Sequence, residues 1–148
     1  MNYEELTFEF FDKIQEFNKI RRQKDVDFEM HGEPLVLYHI SQNKDGILPK
    51  EISEIMAVSS ARVANVLNEL EDKGFITREI DKDDRRNIIV KLTDNGEKFA
   101  EEQTRQFMQK AAAILNLLGE HDAKEYIRIT GKLAEIISKT ENLFNKED

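Results

Sequence analysis

Two short runs, residues 75–80 and 88–92, mix apolar and polar residues in a loose alternation, interrupted by the Phe75-Ile76 and Ile88-Ile89 doublets and the polar Thr77-Arg78-Glu79 run, and they flank seven polar residues, Asp81-Lys82-Asp83-Asp84-Arg85-Arg86-Asn87. Nearly everywhere else the apolar residues recur at steps of three and four. Alternation marks a half-buried strand and the three-four step an amphipathic helix, so one β-hairpin with a seven-residue loop is expected inside an otherwise helical chain. A lone hairpin is not stable by itself and must lean on helices, which confines the fold to mainly α arrangements with a small β element.

Ahead of the hairpin, Tyr3, Leu6, Phe10, Ile14, Phe17 and Ile20 space a helical stripe from Asn2 to about Lys24, widened by Phe8 and Phe11, and so many Phe suggest burial on more than one side. Gly32-Glu33-Pro34 reads as a loop with Pro in a first helical turn, leading into a short buried helix at 35–40 that Asn43-Lys44-Asp45-Gly46 ends. Pro49 opens a further short helix with Ile52, Ile55 and Met56 on one inward face. After the link Ala57-Val58-Ser59, a helix from Ser60 to about Lys73 is expected to bury Val63, Val66, Leu67 and Leu70, with Ser59 as its N-cap and Gly74 just past its end. Two short helices joined so tightly form a helix-turn-helix pattern.

Behind the hairpin, Thr93 caps a long helix that runs through Phe99, Ala100, Phe107, Met108, Ala111, Ile114, Leu115 and Leu118 until Gly119 breaks it. A last helix, from about His121 to Phe144, is expected to bury Tyr126, Ile129, Leu133, Ile136, Ile137 and Phe144. The fold class expected is mainly α with a small β-hairpin wing: a winged helix-turn-helix at 34–93, embedded in dimerisation helices at 1–30 and 94–148 of a single protomer. Three long helices with such broad apolar stripes have little to cover them within one small protomer, which implies a second copy of the chain.

The outward face of the second short helix presents Ser60, Ala61, Arg62 and Asn65. In helix-turn-helix proteins the N-terminal half of that helix lies in the major groove, where Arg reads guanine and Asn reads adenine through paired hydrogen bonds. Arg62 and Asn65 are therefore the candidate base readers, while Ser59, Ser60 and the open N–H groups at the helix start suit a phosphate. At the hairpin tip, Asp83 and Asp84 can hold one of Arg85 and Arg86 extended while the other reaches a narrow minor groove, with Lys82 and Lys91 toward phosphates. The competing readings are a solvated polar helix face and a local Asp–Arg surface pair, the latter worth about 0 to 1 kcal/mol.

A formal net charge of −8 is the chief objection to nucleic-acid binding. Its distribution softens that objection, because residues 48–93 hold eight basic and nine acidic residues against nets of −4 before them and −3 after. The absence of cysteine excludes disulfides, thiolate metal sites and a redox-sensing thiol. Residues 1–20 interleave charges with the apolar positions, so no signal peptide, membrane span or membrane partner is expected and the cytoplasm is the expected compartment. No phosphate-cradling glycine loop, Ser–His–acid set or paired carboxylates support catalysis, and no cofactor is implied.

The chain resembles the MarR-type (multiple antibiotic resistance regulator) winged helix-turn-helix transcription factors. The resemblance is carried by Val58-Ser59-Ser60-Ala61-Arg62-Val63, by Leu70-Glu71-Asp72-Lys73-Gly74-Phe75-Ile76, and by Asp84-Arg85-Arg86 followed by Val90-Lys91-Leu92-Thr93-Asp94-Asn95-Gly96. It implies a homodimer, joined through its terminal helices, that binds a pseudo-palindromic operator in double-stranded DNA, usually as a repressor. It also implies release by a small aromatic effector in a cleft between the dimerisation helices and the reading head, where Phe10, Phe17, Tyr38 and His39 are the candidate lining. Two positions depart from the family pattern: Leu48 where Ser or Thr caps, and Ala57 where Gly turns, which predicts slightly weaker capping and a strained or altered turn. Some relatives bind zinc, but the spacing of His31, Glu29 and Glu33 fits no ligand rule, and no metal is expected. The alternative reading, motivated by the acidity, is a winged-helix protein that acts through protein or ligand binding without operator recognition.

Overall fold

A computed structural model of the protein describes residues 2–27 and 29–140. The elements run α1 (Tyr3–Lys24), α2 (Gly32–Ser41), α3 (Pro49–Met56), α4 (Ser60–Asp72), β1 (Ile76–Ile80), β2 (Ile88–Leu92), α5 (Asp94–Leu118) and α6 (Glu120–Lys139). The chain divides into two compact units, Met1–Ala100 and Glu101–Asp148.

In the first unit the core is built where α2, α3, α4 and the hairpin meet. Val36, Leu37 and Ile40 come from α2, Ile52 from α3, Val63, Leu67 and Leu70 from α4, Ile76 and Val90 from the strands, with Ile47 and Ala100 closing the ends. Each of the Val, Leu and Ile side chains contributes roughly 1.5–3 kcal/mol by leaving water. The strands pair antiparallel from Ile76↔Leu92 to Ile80↔Ile88, leaving Asp81 to Asn87 as the loop, as the alternation predicted. Ile47 adds a short third rung by exchanging backbone hydrogen bonds of 3.0 and 2.9 Å with Val90.

Residue 55 departs from expectation. Ile52 is fully buried and Met56 half-buried, but Ile55 is 54% exposed. On a helix of eight residues the core reaches only the Ile52–Met56 edge, and the 100° step per residue carries Ile55 off it. The two unusual positions around α3 behave as the residue types demand. Leu48 offers no side-chain cap, and its N–H is taken instead by the Glu51 carboxylate at 2.8 Å. Ala57 adopts φ 51 and ψ 44, the left-handed region, so the expected strained turn is present. It is held by Val58 N–H donating to Ser53 O and the Ser53 hydroxyl donating to Val58 O. A left-handed L-residue costs about 1–2 kcal/mol. Ala57→Gly is therefore expected to raise stability by roughly 1 kcal/mol after the greater freedom of unfolded Gly is counted, read as a higher denaturant midpoint at unchanged slope.

In the same unit α1 buries none of its residues, and Tyr3, Leu6, Phe8, Phe10, Phe11, Ile14, Phe17 and Ile20 are all exposed. In the second unit α6 likewise buries none, leaving Tyr126, Ile129, Leu133, Ile136 and Ile137 in solvent. Phe144, expected at the end of the last helix, lies outside the described residues.

Candidate nucleic-acid interface

The start of α4 is shaped by Ser59, whose extended backbone stops the helix and whose hydroxyl oxygen accepts the Arg62 N–H at 3.2 Å. That bond satisfies one donor of the first turn, while the Ser60 and Ala61 N–H groups stay open beside the positive end of the helix dipole. Ser59, Ser60, Ala61, Arg62 and Asn65 are all exposed, on the side opposite buried Val63, Leu67 and Leu70. Among the described contacts the Arg62 guanidinium and the Asn65 amide have no protein partner. They are donors without an intramolecular task.

The hairpin tip is tightly organised. Asp81 N–H bonds Asn87 O, Asn87 N–H bonds Asp84 O, and Asp83 N–H bonds the Asp81 carboxylate. That turn brings Arg86 back over Asp84, whose carboxylate accepts Nε and Nη2 at 3.0 Å each and the Arg86 backbone N–H at 3.1 Å. The guanidinium holds the Asp84 carboxyl below its ordinary range, followed by the backbone N–H, and Asp84 in turn raises Arg86. Arg86 nonetheless stays 89% exposed, so it is oriented on one edge and open on the other. Arg85 and Lys82 are exposed and unpaired among the described contacts. Lys91 is instead drawn to Glu79 at 3.1 Å, and is less available to a phosphate than its sequence position implied.

One pair of contacts escaped the sequence reading. Arg78 on β1 donates from Nη2 to Asn68 Oδ1 at 2.8 Å and from Nη1 to Glu71 Oε2 at 3.0 Å, tying the wing to α4. The signal was available: Arg78 shares the strand face of Ile76, and a charge next to that core-facing position needs a partner.

The four ligand candidates are not gathered into a described cavity. Phe10 and Phe17 lie on the exposed surface of α1, whereas Tyr38 and His39 are half-buried neighbours on α2 with ring centroids 5.5 Å apart, edge to face. A cavity of about 200 Å³ is lined elsewhere, by Met30, Leu35, Val36, Met56, Val58, Val63 and Val66 with Glu29, His31, Gly32 and Arg62. Among the described residues no three His, Asp or Glu side chains converge as a metal site would require, and His31 bonds the Glu29 carbonyl instead.

A short two-helix unit with an open polar edge, followed by a hairpin that carries two arginines at its tip, has the architecture of a winged helix-turn-helix. The pattern of the MarR family matches residues 30–87. The transcriptional repressor MdtR of Bacillus subtilis is 34% identical over 122 residues, covering 80% of this chain and 79% of that protein. FabT of Streptococcus pneumoniae, solved in complex with DNA, aligns with a TM-score of 0.68 at 21% identity over 93% of this chain and 98% of that one. The S. aureus MepR–DNA complex aligns at 0.64 and 22% identity over 95% and 99%. The chain belongs to the MarR family and is a transcriptional regulator, not an enzyme. Among the described residues no helix is long and apolar enough to cross a membrane.

Proposed function

We propose that the protein acts in the cytoplasm as a homodimer that represses transcription by occupying a pseudo-palindromic operator, one α4 helix per half-site. The observation that carries this reading is the coincidence of Arg62 and Asn65 on α4, unpartnered among the described contacts, with Arg85 and a solvent-facing Arg86 on the adjacent hairpin. In this reading Arg62 and Asn65 read base edges, the open start of α4 with Ser59, Ser60 and Ala61 grips a phosphate, and the wing arginines enter the flanking minor groove. Asp84 serves by aiming Arg86, and Lys82 meets a phosphate. The exposed apolar stripes of α1 and α6 support a second copy as partner, and the repressor MdtR supports the sign of regulation. A small aromatic effector would release DNA by shifting the angle of the two reading heads, with Tyr38 and His39, the two candidates that lie side by side, as its proposed contacts.

The test is a mobility shift with DNA from upstream of the protein's own gene. Arg62→Ala is expected to relax preference at one base position by about 1–3 kcal/mol while weakening other sequences far less. Equal weakening on all sequences would remove Arg62 as a base reader. No shift by the wild-type protein, or a monomer in solution at micromolar concentration, would favour the reading in which the winged helix serves protein or ligand binding, the one that −8 per chain suggests.

A further inference from the structure

Arg78 sits opposite Val90 in the hairpin register, on the row of β1 that continues from buried Ile76. That row faces the core at its root, and at Arg78 it reaches the flank of α4, where the side chain is 26% exposed. Its two terminal nitrogens go to different residues one helical turn apart, Asn68 at 2.8 Å and Glu71 at 3.0 Å. A planar guanidinium held at both ends cannot swivel, whereas a single ammonium could satisfy either acceptor and leave the hairpin free to pivot. At the root the wing and α4 are already joined by the short segment after Asp72 and by Phe75 N–H donating to Leu70 O. Arg78 closes the far end of that angle. Two-stranded ribbons twist easily, so without such a tie the tip would sample a range of positions.

We propose that Arg78 is a positioning residue that locks the wing to α4 and thereby sets the distance along DNA between the bases read by α4 and the groove taken by Arg85 and Arg86. Resting on the DNA-binding reading above, this adds a rule about spacing. It also separates two asparagines on one face. Asn68 Oδ1 already accepts from Arg78, which holds that amide toward the wing, whereas among the described contacts the Asn65 amide is engaged by no protein group.

The experiment uses the full chain and the operator fragment that the wild type protects in its own upstream DNA, alongside the same fragment with one base pair inserted between each core half-site and its flank. Wild type is expected to lose about tenfold or more in affinity on the insertion, and Arg78→Met less than about threefold, because a loosened wing can follow the shifted flank. Arg78→Met should also lose backbone protection in the flanks while keeping it over the core. Arg78→Lys should behave as Arg78→Met, and Asn68→Ala, an exposed change that leaves the fold intact, should show the same pattern more weakly. A merely structural loss would weaken both fragments alike. If Arg78→Met keeps the full insertion penalty beside a normally binding wild type, the lock is wrong while the DNA-binding reading stands. If Asn68→Ala instead relaxes preference at one base, Asn68 is a reader and the lock is again wrong. A wild type that shifts no upstream fragment defeats both.

Discussion

Replacing Gly96 with Ala is expected to be the most damaging single-methyl change in the reading head, lowering stability by about 3 kcal/mol or more and the melting temperature by about 10 °C. A Cβ built at Gly96 would lie 1.8 Å from the Phe75 carbonyl oxygen and 2.7 Å from its carbon. The obstacle is backbone, and that backbone is pinned. Phe75 O accepts the Thr93 N–H at 3.0 Å, Phe75 N–H donates to Leu70 O, and the Phe75 ring stacks on Phe99 with centroids 4.5 Å apart. Thr93 adds a hydroxyl that donates to Gly74 O at 2.6 Å and accepts from Gly96 N–H at 3.0 Å. Relief requires the first turn of α5 to lift off the root of the wing, breaking several of these contacts together. The neighbouring Asn95→Ala, at an exposed position, should stay within about 0.5 kcal/mol of wild type. Thermal melts of the two variants side by side decide the point, and an unchanged Gly96→Ala melt would mean the junction is looser than its geometry.

Gly96 also marks how far the sequence could be read. The Thr93-x-x-Gly96 spacing was part of the family resemblance, yet its reason, a helix start pressed against the carbonyl of a residue 21 positions earlier, is tertiary and leaves no local trace. The elements themselves were legible because each end carried its own chemistry: Ser59 and Gly74 around α4, Thr93 and Gly119 around α5, and the polar run between β1 and β2. Ile55 was misplaced because a short helix does not say which edge of its apolar face the core will take. The effector candidates were harder still. In sequence, the stripe of α1 is the same whether it covers a core, a cleft or a partner, and here Phe10 and Phe17 stay exposed while Tyr38 and His39 pack beside one another. At the tip, the order Asp83-Asp84-Arg85-Arg86 leaves open which arginine is tethered, since the answer depends on the turn closed by Asn87 N–H on Asp84 O. That turn assigns Asp84 to Arg86 and, among the described contacts, leaves Arg85 without a partner.

The assignment makes the second large effect asymmetric. With both wing arginines replaced by alanine, operator affinity near physiological salt is expected to fall by about 10- to 100-fold, and the slope of log affinity against log salt to flatten by about 1 to 2, since each lost cation releases about 0.9 fewer counterions. Singly, Arg86→Ala should cost more than Arg85→Ala. Its guanidinium already stands oriented by two 3.0 Å bonds to Asp84, so less side-chain freedom is lost on entering a groove. The Arg86 effect should also depend on the flank, being largest where a narrow A·T-rich minor groove concentrates negative potential, whereas the untethered Arg85 should weaken all flanks alike as a mobile charge does. Asp84→Ala separates orientation from charge: it removes a negative group near DNA, which favours binding, and frees Arg86, which disfavours selective binding. Flank preference should therefore drop even where overall affinity does not. Binding titrations at several salt concentrations on A·T-rich and G·C-rich flanks measure all of this. Unchanged affinity and slope in the double variant would take the wing out of the interface altogether, leaving α4 as its sole reader.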